Sequence, residues 1–271
     1  MIHDVDLLSG DVILASRRLT KPALCFLPAF EDDHNRALRA LRRSDRLLSR
    51  LGNGFQVLMT LLPNEEVQPL HSALQLLSLY TLAVEDYITG SPFSQSLVVL
   101  ADQRNLCQHR LLSLIPMSST GHTGRTITQV VRTAATIYSF LSVYPISAAP
   151  FPELAQTIKN ASSTSTFSKT WREAPELAVW IIVMAAIAAI GTEHRTGFVA
   201  ILDRCLSRLK IDSWEAFKEL LHEFLWLPST NDADGYDIWI EVEESSPFKL
   251  GESSTSEMKR LGSDSRSMSY P

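Results

Sequence analysis

Leu177-Ala-Val-Trp-Ile-Ile-Val-Met-Ala-Ala-Ile-Ala-Ala-Ile190 is an uninterrupted run of 14 apolar residues. As an α-helix it is about 21 Å long at about 1.5 Å per residue, short of the roughly 30 Å hydrocarbon core of a bilayer. Five of its residues are alanine, which weakens it further as a membrane span. A helix that is apolar on every side yet too short for lipid belongs at the centre of a helical protein. Pro175 followed by Glu176 suits its first turn, where the missing proline N–H has no partner to lose.

Helical periodicity extends outward from this run in both directions. Leu70, Ala73, Leu74, Leu77, Tyr80, Thr81, Val84, Tyr87 and Ile88 keep three–four spacing. Ile127, Val130, Val131, Ala134, Tyr138 and Leu141 repeat it, as do Phe198, Ile201, Leu202, Cys205 and Leu209. Trp214, Phe217, Leu221 and Phe224 form another stripe, with Asp212 three residues ahead of Glu215 as a capping box and Ser213 as the other candidate cap. Further helices are expected near 36–51, 97–115 and 151–160. Only Val12–Leu14 and Tyr236–Val242 read as short extended pieces. Breaks are expected at Pro63–Asn64, Gly90–Pro92, Pro116–Gly124 and Ser162–Ser168, with Ser118–Gly124 an exposed loop.

Composition agrees with an all-α class. The 11 glycines in 271 residues are about 4%, below the usual ~7%, which disfavours turn-rich β sandwiches and Gly-rich phosphate loops. A chain of this length buries about three quarters of its unfolded surface without disulfide staples. Cys25, Cys107 and Cys205 are too few and too scattered for a disulfide framework or a metal cluster. The net charge of −5 gives no global attraction to nucleic acid, and the N-terminus lacks the basic start and long apolar stretch of a secretory signal. The expectation is a soluble, reduced, intracellular protein: one multi-helix globular domain over residues 5–243, then a tail over 244–271. Residues 245–271 hold nine serines and few large apolar groups, so a disordered Ser-rich tail is expected there.

Motifs of chemistry are sparse. Thr230, Asp232, Asp234, Gly235 and Glu241 approach an EF-hand register, but position 1 lacks a carboxylate and position 8 is Asp237 instead of an apolar residue. A polar turn closing the domain is expected instead. In Glu31-Asp-Asp-His34 the adjacent Asp32 and Asp33 point apart on a helix, so a solvated helix start fits better than a magnesium cluster. Cys107 and His109 are two soft ligands where zinc needs three or four, and Cys107 shares an apolar stripe with Leu100, Leu111 and Leu114. No nucleophile elbow, Walker loop, dinucleotide fingerprint or HExxH pair is present. No catalytic, cofactor or metal residue is therefore assigned.

The most basic stretch is Arg36, Arg39, Arg42, Arg43, Arg46 and Arg50, six arginines in 15 residues. Such a face meets phosphates with salt-sensitive affinity. It lacks the aromatic neighbours of single-strand binders, and pairing with the acidic remainder of the chain is the simpler expectation. Arg36, Arg39, Arg43, Arg46 and Arg50 remain a weak candidate face for DNA.

Two longer stretches are informative together. Gln108-His-Arg-Leu-Leu-Ser-Leu-Ile-Pro116 precedes Val131-Arg-Thr-Ala-Ala-Thr-Ile-Tyr-Ser-Phe-Leu-Ser-Val-Tyr-Pro145. Pro175-Glu-Leu-Ala-Val-Trp180 leads through the Ala-rich helix to Ile211-Asp-Ser-Trp214, Phe224-Leu-Trp-Leu227, Asp234-Gly235 and Trp239-Ile-Glu-Val242. In order and spacing, residues 106–145 and 171–242 resemble the fungal-specific C-terminal regulatory domain of binuclear zinc-cluster (Zn2Cys6) transcription factors. Where that family often carries Cys-Asp after its Leu-Trp-Leu element, this chain has Asn231-Asp232. The six-cysteine DNA-binding module has no counterpart in it.

The resemblance implies a nuclear regulatory domain without its own DNA reader, either cut from a longer coding sequence or dependent on partners. It implies protein partners in transcriptional control, a second copy of the chain among them, and contact with DNA only indirectly; the short apolar run gives the expectation of no membrane association. Trp180, Trp214, Phe224, Trp226, Gly235 and Trp239 are the matching positions, expected to serve as structural core. The alternatives are a helical enzyme of secondary metabolism with no recognisable local motif, and a DNA-contacting cofactor using the Arg36–Arg50 face.

Overall fold

The computed structural model describes residues 5–18, 20–23, 32–33, 50–92, 94–114, 122–142 and 151–245. Among them it contains eleven α-helices, one 3-10 turn and no strand. The helices are α1 (Val5–Arg18), α2 (Leu58–Leu61), α3 (Asn64–Ile88), α4 (Leu97–Ser113), α5 (His122–Leu141), α6 (Phe151–Ser162), α7 (Ser165–Glu173), α8 (Pro175–Ala188), α9 (Arg195–Leu209), α10 (Trp214–His222) and α11 (Pro228–Ser245), with the 3-10 turn at Asn53–Val57.

Helix α8 occupies the centre, as its all-round apolarity requires. Every residue from Leu177 to Ala188 is buried, and α5, α6, α7, α9, α11 and the 3-10 turn pack around it. Its alanines keep the cylinder thin enough for neighbours on all sides. One continuous hydrophobic core runs from Phe55 to Val242, and no helix among the described residues is long and apolar enough to cross a membrane. On one side of the centre, α3, α4 and α5 form a second layer. Helix α1 packs on α4 through Val12, Ala15 and Leu112.

Several expectations change at this point. Val12–Leu14 and Tyr236–Val242 are helical, in α1 and α11. In the second case Asn231, Gly235, Ile238, Trp239 and Val242 are buried, so three–four spacing overrides the apparent alternation of Tyr-Asp-Ile-Trp-Ile-Glu-Val. The expected polar turn at 230–235 is the first part of that same helix. Pro228 sets its opening dihedral, and the Asn231 side chain accepts the Leu227 N–H at 2.9 Å.

The loop expected over 118–124 is already helical from His122. The break expected over 162–168 shrinks to 163–164, because the Thr164 hydroxyl accepts the Phe167 N–H and starts α7. Ser213, and not Asp212, caps α10, accepting the Ala216 N–H at 3.3 Å; no capping box forms, since its third residue on is Ala216. Helix α11 continues through Glu244 and Ser245, past the expected domain end. Of the tail expected over 244–271, residues 246–271 lie outside the described residues, as do Cys25, Arg36, Arg39, Arg42, Arg43 and Arg46.

Candidate functional site

The residues that carry the family resemblance converge. Trp180 on α8 is fully buried and donates its indole N–H to the Leu225 carbonyl at 2.9 Å. Phe55 packs edge-on against both Trp180 and Phe224, with centroids 5.1 and 5.3 Å apart, and Trp180 stacks on Phe224. Such aromatic pairs contribute about 0.5–1.5 kcal/mol beyond their burial. Trp226 is also buried, and its indole N–H meets Asp232 at 2.8 Å. The carboxylate that the calcium register would have used therefore serves a tryptophan.

Gly235 lies against Trp226, and Trp239 tilts over Phe217 at 5.7 Å. Trp214 departs from the expectation of a core residue. It is only partly buried, edge-on to Tyr236 at 5.4 Å, with the Lys218 ammonium 5.9 Å from its ring. It stands at the first turn of α10, with Phe217 also edge-on to it at 5.9 Å.

Arg50, the one described member of the basic face, binds Glu219 on α10 and Glu223 just past its end. Those hydrogen bonds raise its pKa above the ordinary arginine value. The side chain is 40% exposed, so the pair is a surface contact of modest strength. It turns this guanidinium toward the chain's own acids. Beside it a groove of about 400 Å³ has Val57, Leu177, Leu220 and Phe224 on its walls.

The described cysteines, Cys107 and Cys205, are free and buried. Burial pushes the Cys107 thiol far up, and the Cys205 thiol up to about 12. A thiol held protonated is neither nucleophile nor metal ligand. Asp32 and Asp33 are both exposed on a helical segment. Among the described residues no three His, Cys, Asp or Glu side chains are grouped to hold a metal ion.

What sequence patterns missed is a polar seam between α3, α4 and α5. The buried charged residues of the described chain, Glu66, Arg104 and Arg132, all lie along it. Glu66 accepts a hydrogen bond from Thr128 at 3.2 Å, and Arg132 donates to the Leu114 carbonyl at 2.6 Å. Glu66 Oε1, Ser113 Oγ, Arg132 Nε, Arg104 Nε, Tyr80 Oη and both side-chain polar atoms of Gln103 have no partner. Burial lowers the pKa of both arginines and raises that of Tyr80 well above ten. Between α3 and α4 along this seam lies a cavity of about 350 Å³ lined by residues that include Pro69, Ala73, Leu76, Ser113 and Leu114.

Nothing in the α5 sequence marks Arg132 as buried, because a single helix pattern does not reveal that neighbours cover both of its sides. The hint that existed was compositional: Gln103, Arg104, Asn105 and Gln108 fall close together on the same helix as the apolar stripe of Leu100, Cys107 and Leu111. No family model, curated protein or solved structure matches the chain.

Proposed function

We propose that this chain is a helical regulatory and interaction domain acting in transcriptional control, of the type found in fungal zinc-cluster transcription factors. It works in the nucleus through protein partners, a second copy of itself among them, and without a zinc-cluster DNA reader of its own. The observation that carries this proposal is the convergence of Trp180, Phe224, Trp226, Gly235 and Trp239. Trp180 stacks on Phe224 and is hydrogen-bonded to the Leu225 carbonyl, and Gly235 lies against Trp226, so positions far apart in the motif order are packed against one another. Independent core pattern in separate helices would not require that.

Engagement of Arg50 by Glu219 and Glu223 favours indirect over direct contact with DNA. The test has two arms. Fused to an unrelated DNA-binding module, the chain should raise or lower a reporter gene several-fold compared with the module alone. In a mobility-shift assay at physiological salt, the chain alone should show no sequence-dependent binding. An unchanged reporter, or nanomolar sequence-dependent binding by the isolated chain, refutes the proposal.

A further inference from the structure

The cavity between α3 and α4 is walled by one stripe from each helix. Pro69, Ser72, Ala73 and Leu76 follow three–four spacing on α3, a stretch of about 10 Å along the helix axis. Arg110 and Ser113 face them from the last turn of α4, with Leu114 just past its end. Ala73 and Leu76 are buried, whereas Ser72 and Arg110 are exposed, so the deep wall is apolar and the mouth polar. Among the described residues that line it, Arg110 carries the only charge, and no acid stands opposite.

Ser113 supplies a second polar group. Ser78 and Thr81 on α3, and Thr133 and Thr136 on α5, donate their hydroxyls to the carbonyl four residues back. The buried Ser113 hydroxyl makes no such bond and has no partner, which leaves a donor unspent at the cavity wall. The Leu114 carbonyl at the same helix end is held by Arg132 at 2.6 Å, so a guanidinium offsets the negative end of α4 there.

A volume of about 350 Å³ falls in the range of metabolite sites, which pair apolar walls with a few placed polar groups. We propose that this cavity binds a small monocarboxylate with a medium-length aliphatic body. The Arg110 guanidinium meets the carboxylate at the mouth, the Ser113 hydroxyl donates to it, and the hydrocarbon lies against Ala73, Leu76 and Leu114. One cation matches one negative charge. A phosphate monoester would bring a second charge with no second cation among these residues to meet it. An ammonium would be repelled by Arg110, and a neutral alcohol would forgo the charge-assisted bond. Such binding requires the cavity alone and is independent of any role in transcription.

The experiment is calorimetric titration of the full chain with octanoate as probe. Octan-1-ol and octylamine keep the hydrocarbon without the carboxylate, and acetate keeps the carboxylate without the hydrocarbon. Octanoate should bind saturably, with each of the other three at least tenfold weaker. Arg110→Met should weaken octanoate at least tenfold, and Arg110→Lys, which keeps the charge, should weaken it less. Ser72→Phe places a ring at the mouth from an exposed position and keeps every charge. It should abolish binding while the helical circular dichroism and the thermal midpoint stay unchanged. No saturable octanoate binding up to about 10 mM, octan-1-ol bound as tightly as octanoate, or unaltered binding in folded Arg110→Met or Ser72→Phe overturns the site.

Discussion

Gly235 of α11 lies so close to Trp226 that a Cβ on it would stand 2.6 Å from the indole ring, and 3.2 Å from Trp214. The backbone of α11 approaches the preceding segment at the distance a hydrogen permits and a methyl does not. Trp226 cannot yield freely, because its N–H is held by Asp232.

Gly235→Ala should therefore destabilise the protein even though alanine is the better helix former. The propensity gain is about 1 kcal/mol, whereas overpacking a filled core costs about 1–3 kcal/mol. Urea unfolding followed by tryptophan fluorescence should show a lower midpoint with a net loss of about 1–2 kcal/mol. A higher midpoint than the parent would mean that α11 and the segment before it do not meet this closely.

Arg195 joins three helices. Its guanidinium meets both carboxylate oxygens of Glu241 on α11 and donates to the Ala186 carbonyl near the end of α8 at 2.8 Å. The side chain is 14% exposed. Arg195→Met should cost about 2–3 kcal/mol, since it strands an acid and a helix-terminal carbonyl. Glu241→Gln, which leaves the Ala186 contact in place, should cost less. Equal losses in thermal unfolding would assign the whole effect to the ion pair.

His222 titrates against folding. The ring is 5% exposed and neither nitrogen has a partner. Burial lowers its pKa below 6.5, opposed by Asp232 and Glu219 and reinforced by Lys218 and Arg50. The unfolded chain thus binds the proton more readily, and stability falls as pH drops through and below about 6.5. His222→Leu removes that proton uptake. Between pH 7.5 and 5.5 its unfolding midpoint should decline less than the parent's; parallel declines would exclude His222 as the source.

Arg50 is paired but exposed, and Arg50→Ala should change stability by less than about 1 kcal/mol. The effect should shrink further in high salt, because exposed pairs are screened. A loss that persists in 1 M salt would point to packing of the arginine stem against the groove instead.

The all-α class was legible because Leu177–Ile190 is too short for lipid and too apolar for a surface, and because three–four spacing recurs on both sides of it. Pro175, Pro63 and Gly90 marked helix ends through local backbone chemistry that needs no partner. Where local signals competed, sequence was less informative. Tyr236–Val242 alternates well enough to suggest a strand, and only the neighbours on α9 and α10 show that its buried face follows a helical period. The 230–235 polar cluster looked like a turn until Trp226 and Leu227 were seen to use its acid and amide.

The candidate site was almost entirely a tertiary matter. Glu66, Ser113 and Arg132 are ordinary polar residues on three helices, separated by up to 66 positions, and no spacing rule connects them. They come to share one seam because α3, α4 and α5 close around them and remove water, leaving Glu66 Oε1, Ser113 Oγ and Arg132 Nε without a partner. Periodicity records which face of one helix avoids water. Whether a polar group on another face also loses its water depends on how many neighbours the helix has, and only the assembled bundle settles that.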